Sequence, residues 1–359
     1  MSADLALAHL RGAVVARLAI DAATVEVVRA LRLQNVRAIL IKGAAIAERL
    51  YDDTEQRFYG DMDLLVEQRA LDRAQRVLRD LGFRPILGNP RVSELGPHAN
   101  AWTRARPRAV VDLHTGVHFC TRDPDALWAE FTRHTRQLEL ADTAVEVLGD
   151  AAQAFVIVTH ALADCRQPKP LEDLGRALMR IDRAAWREAA EMAGRLGAGP
   201  AFATGLRRTA AGARLVEALG LHYESTAEAR LYLAGLPPVA DGFRRFAQAG
   251  SVRARIRLIA DELAPSPDFM RLGDVSPFAR RSRAGLVLAY LHRPLWLLFR
   301  APRGLRIWRA ASVAQPPPAA RSSGTLHRLR LLTAGQSARR GMDLADGDAR
   351  PSTALSTSR

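Results

Sequence analysis

Three carboxylates on two short apolar segments have the residue types and spacing for joint chemistry. The first segment runs Gly60-Asp61-Met62-Asp63-Leu64-Leu65-Val66 and the second Val110-Val111-Asp112-Leu113-His114. On a β-strand, residues i and i+2 share a face. The spacing predicts that Asp61 and Asp63 point one way, and that Asp112 and His114 share a face as well. Three acids gathered at a sheet edge repel one another unless a cation stands between them. Mg²⁺ suits that place, because it takes hard oxygen ligands and leaves positions open for phosphate. Upstream lies Leu40-Ile41-Lys42-Gly43, where a flexible ammonium is within reach of a phosphate.

These residues need a scaffold, and the flanking pattern supplies one. Helical periodicity covers residues 5–34, and Val36 to Ile41 reads as a buried strand ended by Lys42-Gly43. A helix over Ala44 to Tyr51, with free N–H groups towards phosphate, follows. A polar loop, a strand at Met62 to Val66 and an amphipathic helix over Gln68 to Leu81 come next, the last stopped by Gly82. Strands at Ala101 to Thr103 and Ala109 to His114 complete a small α/β unit, and a hairpin is expected at 137–148. Asp150 is placed to cap a helix running to Cys165. Further helices are expected over 171–183, 184–196, 201–219, 227–235 and 239–263. The fold class is α+β: a small α/β domain with a mixed sheet, followed by a helical domain. The expected boundaries are 1–35 for N-terminal helices, 36–149 for the α/β domain and 150–275 for the helical domain. A basic helical segment over 276–314 and a disordered tail over 315–359 follow.

Bulk properties narrow the function classes. A chain of 359 residues can bury real cores. Its net charge of +14 is uneven: from Arg271 onward the balance is +12, and the preceding 270 residues carry only +2. A nucleic-acid enzyme more often spreads basic charge around its cleft, so nucleic acid is not the expected partner. Only Lys42 and Lys169 are lysines, and the remaining 50 cations are arginines. Cys120 and Cys165 are isolated, which fits a reducing cytoplasm rather than a disulfide framework. Asp4 and Arg11 interrupt the N-terminal apolar pattern, so no signal peptide is expected. No apolar run reaches the roughly 18 residues a membrane span needs. The segment 286–308 mixes leucine and tryptophan with arginine, which suits a terminal helix packed on the domain with its arginines solvated, the favoured reading, or a peripheral membrane contact. Pro294 and Pro302 are expected to interrupt it as a helix.

Ile39-Leu40-Ile41-Lys42-Gly43, Tyr51, Arg57, Asp61-Met62-Asp63-Leu64-Leu65-Val66 and Val111-Asp112-Leu113-His114 together resemble the uncharacterised nucleotidyltransferase family of bacteria. That family is similar to a branch of the DNA polymerase β-type nucleotidyltransferase superfamily. The match is strongest over residues 36–120. Thr159-His160-Ala161, Leu171-Glu172-Asp173-Leu174, Trp186 and Arg293-Pro294 extend it more weakly. The resemblance implies that Asp61, Asp63 and Asp112 hold two Mg²⁺ ions, which Mn²⁺ can replace. It implies that Asp112 helps to deprotonate an acceptor hydroxyl, and that an NTP such as ATP loses pyrophosphate. It further implies that Lys42 and Arg57 hold phosphate oxygens. Gly43 then admits the triphosphate, and His114 orients a ligand or the acceptor. The pair Gly43-Ala44 departs from the Gly-Gly or Gly-Ser usual in the superfamily.

Blander roles compete at several positions. His160 lies in an apolar helix, as a core histidine would. Asp173 and Lys169 reach towards the nucleotide or form a surface pair. Arg57 has Asp52 and Asp53 as near partners. The expected acceptor is a hydroxyl or phosphate group on a small molecule, glycan precursor or protein. A degenerate binding module and an Asp-x-Asp glycosyltransferase are the alternatives.

Overall fold

In the computed structural model, the described residues are 3–52, 57–88, 90–91, 94, 99–272, 275–276 and 278–313. The expected tail over 315–359 lies outside them. The first helix, α1, runs Ala3–Leu33, and strand β1 follows at Ala38–Leu40. Next come α2 at Ala44–Leu50, β2 at Met62–Val66, α3 at Leu71–Asp80 and β3 at Arg84–Pro85. Strands β4 (Ala99–Ala105) and β5 (Arg108–His114) precede α4 (Pro124–Phe131). The hairpin consists of β6 (Thr135–Leu140) and β7 (Thr143–Leu148).

The seven strands form one mixed sheet in the order β3-β4-β5-β2-β1-β7-β6. β2 lies parallel to β5 and antiparallel to β1, and β7 runs parallel to β1. The hairpin therefore completes the sheet beside β1. Its turn places Ala141 at φ 43° and Asp142 at φ 56°, the left-handed pair that matches strand twist in a two-residue hairpin. All five residues of β2 are buried, because it is a central strand with apolar clusters packed on both of its faces. Leu64, Val111 and Leu113 pack towards α1 and α3, whereas Ile39, Ile41 and Leu65 pack beneath the later helices.

Those helices are α5 (Asp150–Ala163), α6 (Pro168–Arg180), α7 (Arg183–Arg195), α8 (Gly199–Leu206) and α9 (Ala210–Ala218). The α5 residue Phe155 stacks on Phe202 of α8 at 6.0 Å and meets Phe131 of α4 edge-on. This aromatic column extends the core of the sheet into the helical layer. Gly149, not Asp150, caps α5; the Asp150 carboxylate instead binds Arg49 at 2.7 Å. The helix expected over 201–219 is two, because Thr209 accepts from the Gly212 amide and starts α9 afresh.

The remaining helices are α10 (Ala227–Leu233), α11 (Pro238–Gln248), α12 (Val252–Leu263), α13 (Pro267–Met270) and α14 (Arg283–Ser312). Ser251 caps α12 and so divides the expected helix over 239–263. Contrary to the sequence expectation, α14 is continuous through Pro294 and Pro302. Tertiary anchors offset the lost backbone bonds. Arg293 donates to the Glu262 carbonyl at 3.1 Å, and Tyr290 donates to the Pro265 carbonyl at 2.6 Å. Gly304 lies against Val239, where a Cβ would come within 2.7 Å.

Candidate active site

The central strands carry the acids. Asp63 on β2 pairs in register with Asp112 on β5, and His114 lies two residues further along β5. The parallel pairing places both carboxylates and the imidazole on one face. Their ligand atoms all lie within 4.8 Å of one another. Asp61 stands apart from this group. It lies one residue before β2 and lines the same cavity as Asp63. The tight trio is thus Asp63, Asp112 and His114, with Asp61 on the adjoining wall.

Lys42 follows β1 and points its ammonium at Asp63, with Nζ 2.5 Å from Oδ1. His114 Nε2 lies 3.0 Å from the same oxygen, and its Nδ1 is buried without a partner among the described residues. Burial pushes the Asp63 carboxyl up, but the His114 hydrogen bond and the Lys42 charge outweigh it and hold the group well below the usual carboxylate range. Asp61 and Asp112 go the other way: burial raises both, and the charge of Asp63 raises them further. Burial alone would lower Lys42; the carboxylates of Asp63, Asp61 and Asp112 overcome it and keep the ammonium charged. The cluster therefore holds more negative charge than one lysine balances. Three hard carboxylate donors around an open cavity of about 330 Å³ fit a divalent cation.

The turn after β1 is held from two sides. Gln153 of α5, wholly buried, donates to the Ile41 carbonyl at 3.1 Å. Arg57 donates to the Gly43 carbonyl at 3.2 Å. Gly43 itself adopts φ 60° and ψ −118°, a region in which an L side chain is strained. Arg57 does not pair with Asp52, which binds Arg180 instead. Its guanidinium grips Asp173 of α6 through Nε at 2.9 Å and Nη2 at 2.8 Å. Tyr51 adds a hydroxyl bond to Asp173 at 2.8 Å. Arg57 thus braces the turn against the helical layer.

Further residues reach the cavity from segments far along the chain: His160, Asp164, Gln167 and Lys169. His160 pairs with Asp164 at 2.8 Å across one turn at the end of α5, so it is not a plain core histidine. The Lys169 ammonium donates to the Phe58 carbonyl. Burial and the neighbouring Arg57 charge lower its pKa to about 8. Asp164 and Gln167 carried no sequence signal, because nothing local to them indicates that their segment folds over the acids. For Lys169 the one hint was its rarity.

Among solved structures, the chain is similar to the antibiotic-resistance factor ANT(2'')-Ia, with 14% identity and a TM-score of 0.35 over 49% of this chain and 94% of that one. It is similar to the lincosamide antibiotic adenylyltransferase LnuA in its lincomycin-bound form, with 12% identity and a TM-score of 0.29 over 41% and 89%. It is also similar to an antigenic nucleotidyltransferase-like protein from Paracoccidioides brasiliensis, with 15% identity and a TM-score of 0.35 over 58% and 95%. No curated protein matches the sequence. The family described as uncharacterised nucleotidyltransferase matches residues 4–211, a stretch that contains every cavity residue named above. That match covers more than half of the chain, and the protein belongs to this nucleotidyltransferase family.

Proposed function

We propose that this enzyme moves a nucleoside monophosphate from an NTP to a hydroxyl or phosphate acceptor, with divalent metal held by Asp61, Asp63 and Asp112. The observation that carries the reading is the meeting of Asp61, Asp63 and Asp112 with Lys42 and Lys169 around one cavity. Mg²⁺ or Mn²⁺ bound there would supply charge stabilisation and alignment for an in-line displacement at phosphorus. Asp63, kept ionised by Lys42 and oriented by His114, is the fixed donor. Lys42 and Lys169 flank the acids and meet phosphate oxygens. Asp112, with its affinity for protons raised, takes the proton of the acceptor hydroxyl at a carboxylate oxygen. The acceptor oxygen bonds to the α-phosphorus as the bond to the bridging oxygen breaks, and pyrophosphate leaves. Arg57 serves as a brace for the Gly43 turn rather than as a free phosphate ligand.

The test supplies each α-labelled NTP with Mg²⁺ or Mn²⁺ and a metabolite or protein extract. Wild-type enzyme should label an acceptor. Asp63→Asn and Asp112→Asn should each slow transfer by about two to three orders of magnitude. Absence of transfer with every nucleotide and extract would refute the reading.

A further inference from the structure

Away from the cavity, the C-terminal helices expose an unusual amount of apolar surface. Thirteen of the 21 exposed large apolar side chains among the described residues fall between Phe246 and Val313. They are ordered. On α12, Val252, Ile256, Ile259 and Leu263 recur at helical spacing and are 41–70% exposed. On α14, Val287, Leu288, Leu291, Leu295, Leu298 and Phe299 form a second stripe, 53–81% exposed. The stripes meet. A groove of about 430 Å³ between α11, α12 and α14 is lined by Ile259 and Leu263 from one and by Leu298 from the other. Two helices thus build one continuous apolar face.

The charges around this face identify its occupant. The α14 sequence contains six arginines and no carboxylate. Arg253, Arg255 and Arg257 on α12, and Arg283, Arg300, Arg303, Arg306 and Arg309 on α14, are all exposed. The nearby acids are already engaged. Glu262 binds Arg245 and Arg293, Asp241 binds Arg244 and Arg245, and Asp261 binds Arg91. The guanidiniums of Arg293 and Arg300 lie over the Trp296 ring, 4.8 and 4.6 Å from its centroid. Self-pairing through α14 would set arginine against arginine in either orientation. An apolar stripe flanked by cations instead complements an anionic lipid surface, with acyl chains below and phosphates at the rim. No helix among the described residues is long and apolar enough to cross a membrane.

We propose that the α12–α14 face seats this protein on an anionic lipid bilayer, its apolar stripes among the acyl chains and its arginines on lipid phosphates. The proposal does not depend on the nucleotidyl-transfer reading. The full chain is mixed with phosphatidylcholine vesicles, or with vesicles also containing phosphatidylglycerol, and bound protein is separated by flotation. Binding is expected only with phosphatidylglycerol and should weaken in high salt. Phe299→Glu and Leu291→Glu, both at exposed positions, should each lower partitioning by about tenfold or more. Arg303→Gln and Arg306→Gln should each lower it roughly fivefold. Thermal melting that matches wild type confirms that these variants fold. Three outcomes overturn the proposal: no binding to phosphatidylglycerol vesicles, unchanged binding by folded Phe299→Glu, or a dimer seen by light scattering that Phe299→Glu dissociates. The last would assign the face to a second copy of the chain.

Discussion

Asp173→Ala offers a quantitative test of how the turn at Gly43 is held. Asp173 is 1% exposed and Arg57 5%. The substitution strips the guanidinium of its carboxylate partner and leaves, among the described residues, only the Gly43 carbonyl as its acceptor. Breaking a buried pair by removing one partner costs about 3–5 kcal/mol. Loss of the Tyr51 hydroxyl bond adds about 1 kcal/mol. Arg57 also lines the open cavity, where water offers some relief, so a net loss of about 4 kcal/mol is expected. Against a typical stability of about 5–15 kcal/mol, that is a large fraction. Urea unfolding followed by tryptophan fluorescence reads the change as a shift in midpoint at constant slope. The decisive comparison is Arg57→Met/Asp173→Leu, which buries no charge and should cost less than either single substitution. A loss below about 1 kcal/mol for Asp173→Ala, or additive losses in the double variant, would refute this account of the brace.

Gly43→Ala should cost about 1–3 kcal/mol in the same unfolding assay because of the positive φ at that turn. It should also slow transfer, since Lys42 is carried on the strained segment. Lys169 provides a pH signature. Below about 8 its ammonium is charged and available to phosphate, and above that value it is neutral. Nucleotide affinity, measured by titration calorimetry, should therefore fall as pH rises through about 8, and Lys169→Met should flatten that profile. The stability linkage runs in the opposite sense. The folded value lies below the ordinary lysine value of 10.5, so between the two the unfolded chain holds more protons. Stability from this group rises with pH across that window, and Lys169→Met removes the increment.

The parts of the site written in short-range pattern were legible before the structure. Alternation in β2 and β5 placed Asp63, Asp112 and His114, and the end of a buried strand placed Lys42 and Gly43. Asp61 lies one residue outside its strand and lines the same cavity as Asp63. The α+β class followed from strand-length apolar runs near the start of the chain and helical periodicity after residue 150. The joining of β7 to β1 was not legible, because parallel pairing across a long connection leaves no local trace. The partner of Arg57 was hidden for a related reason. Asp52 was near in sequence, but the guanidinium is held by Asp173, 116 positions away; Asp53, the other near candidate, lies outside the described residues. Helix breaks at Thr209 and Ser251 rest on single capping hydroxyls inside otherwise periodic stretches.

The two tethers on the Lys42-Gly43 turn bear on how such a protein can be inherited. Gln153 and Asp173 both belong to the helical layer, yet they hold, directly or through Arg57, the carbonyls on either side of Lys42. The α/β portion is therefore not a portable cassette. Recombination that exchanged α5 and α6 for another helical cover would strand a buried arginine and release the turn that carries the lysine. The sheet and its helical cover are therefore one mechanical unit at the turn that carries Lys42.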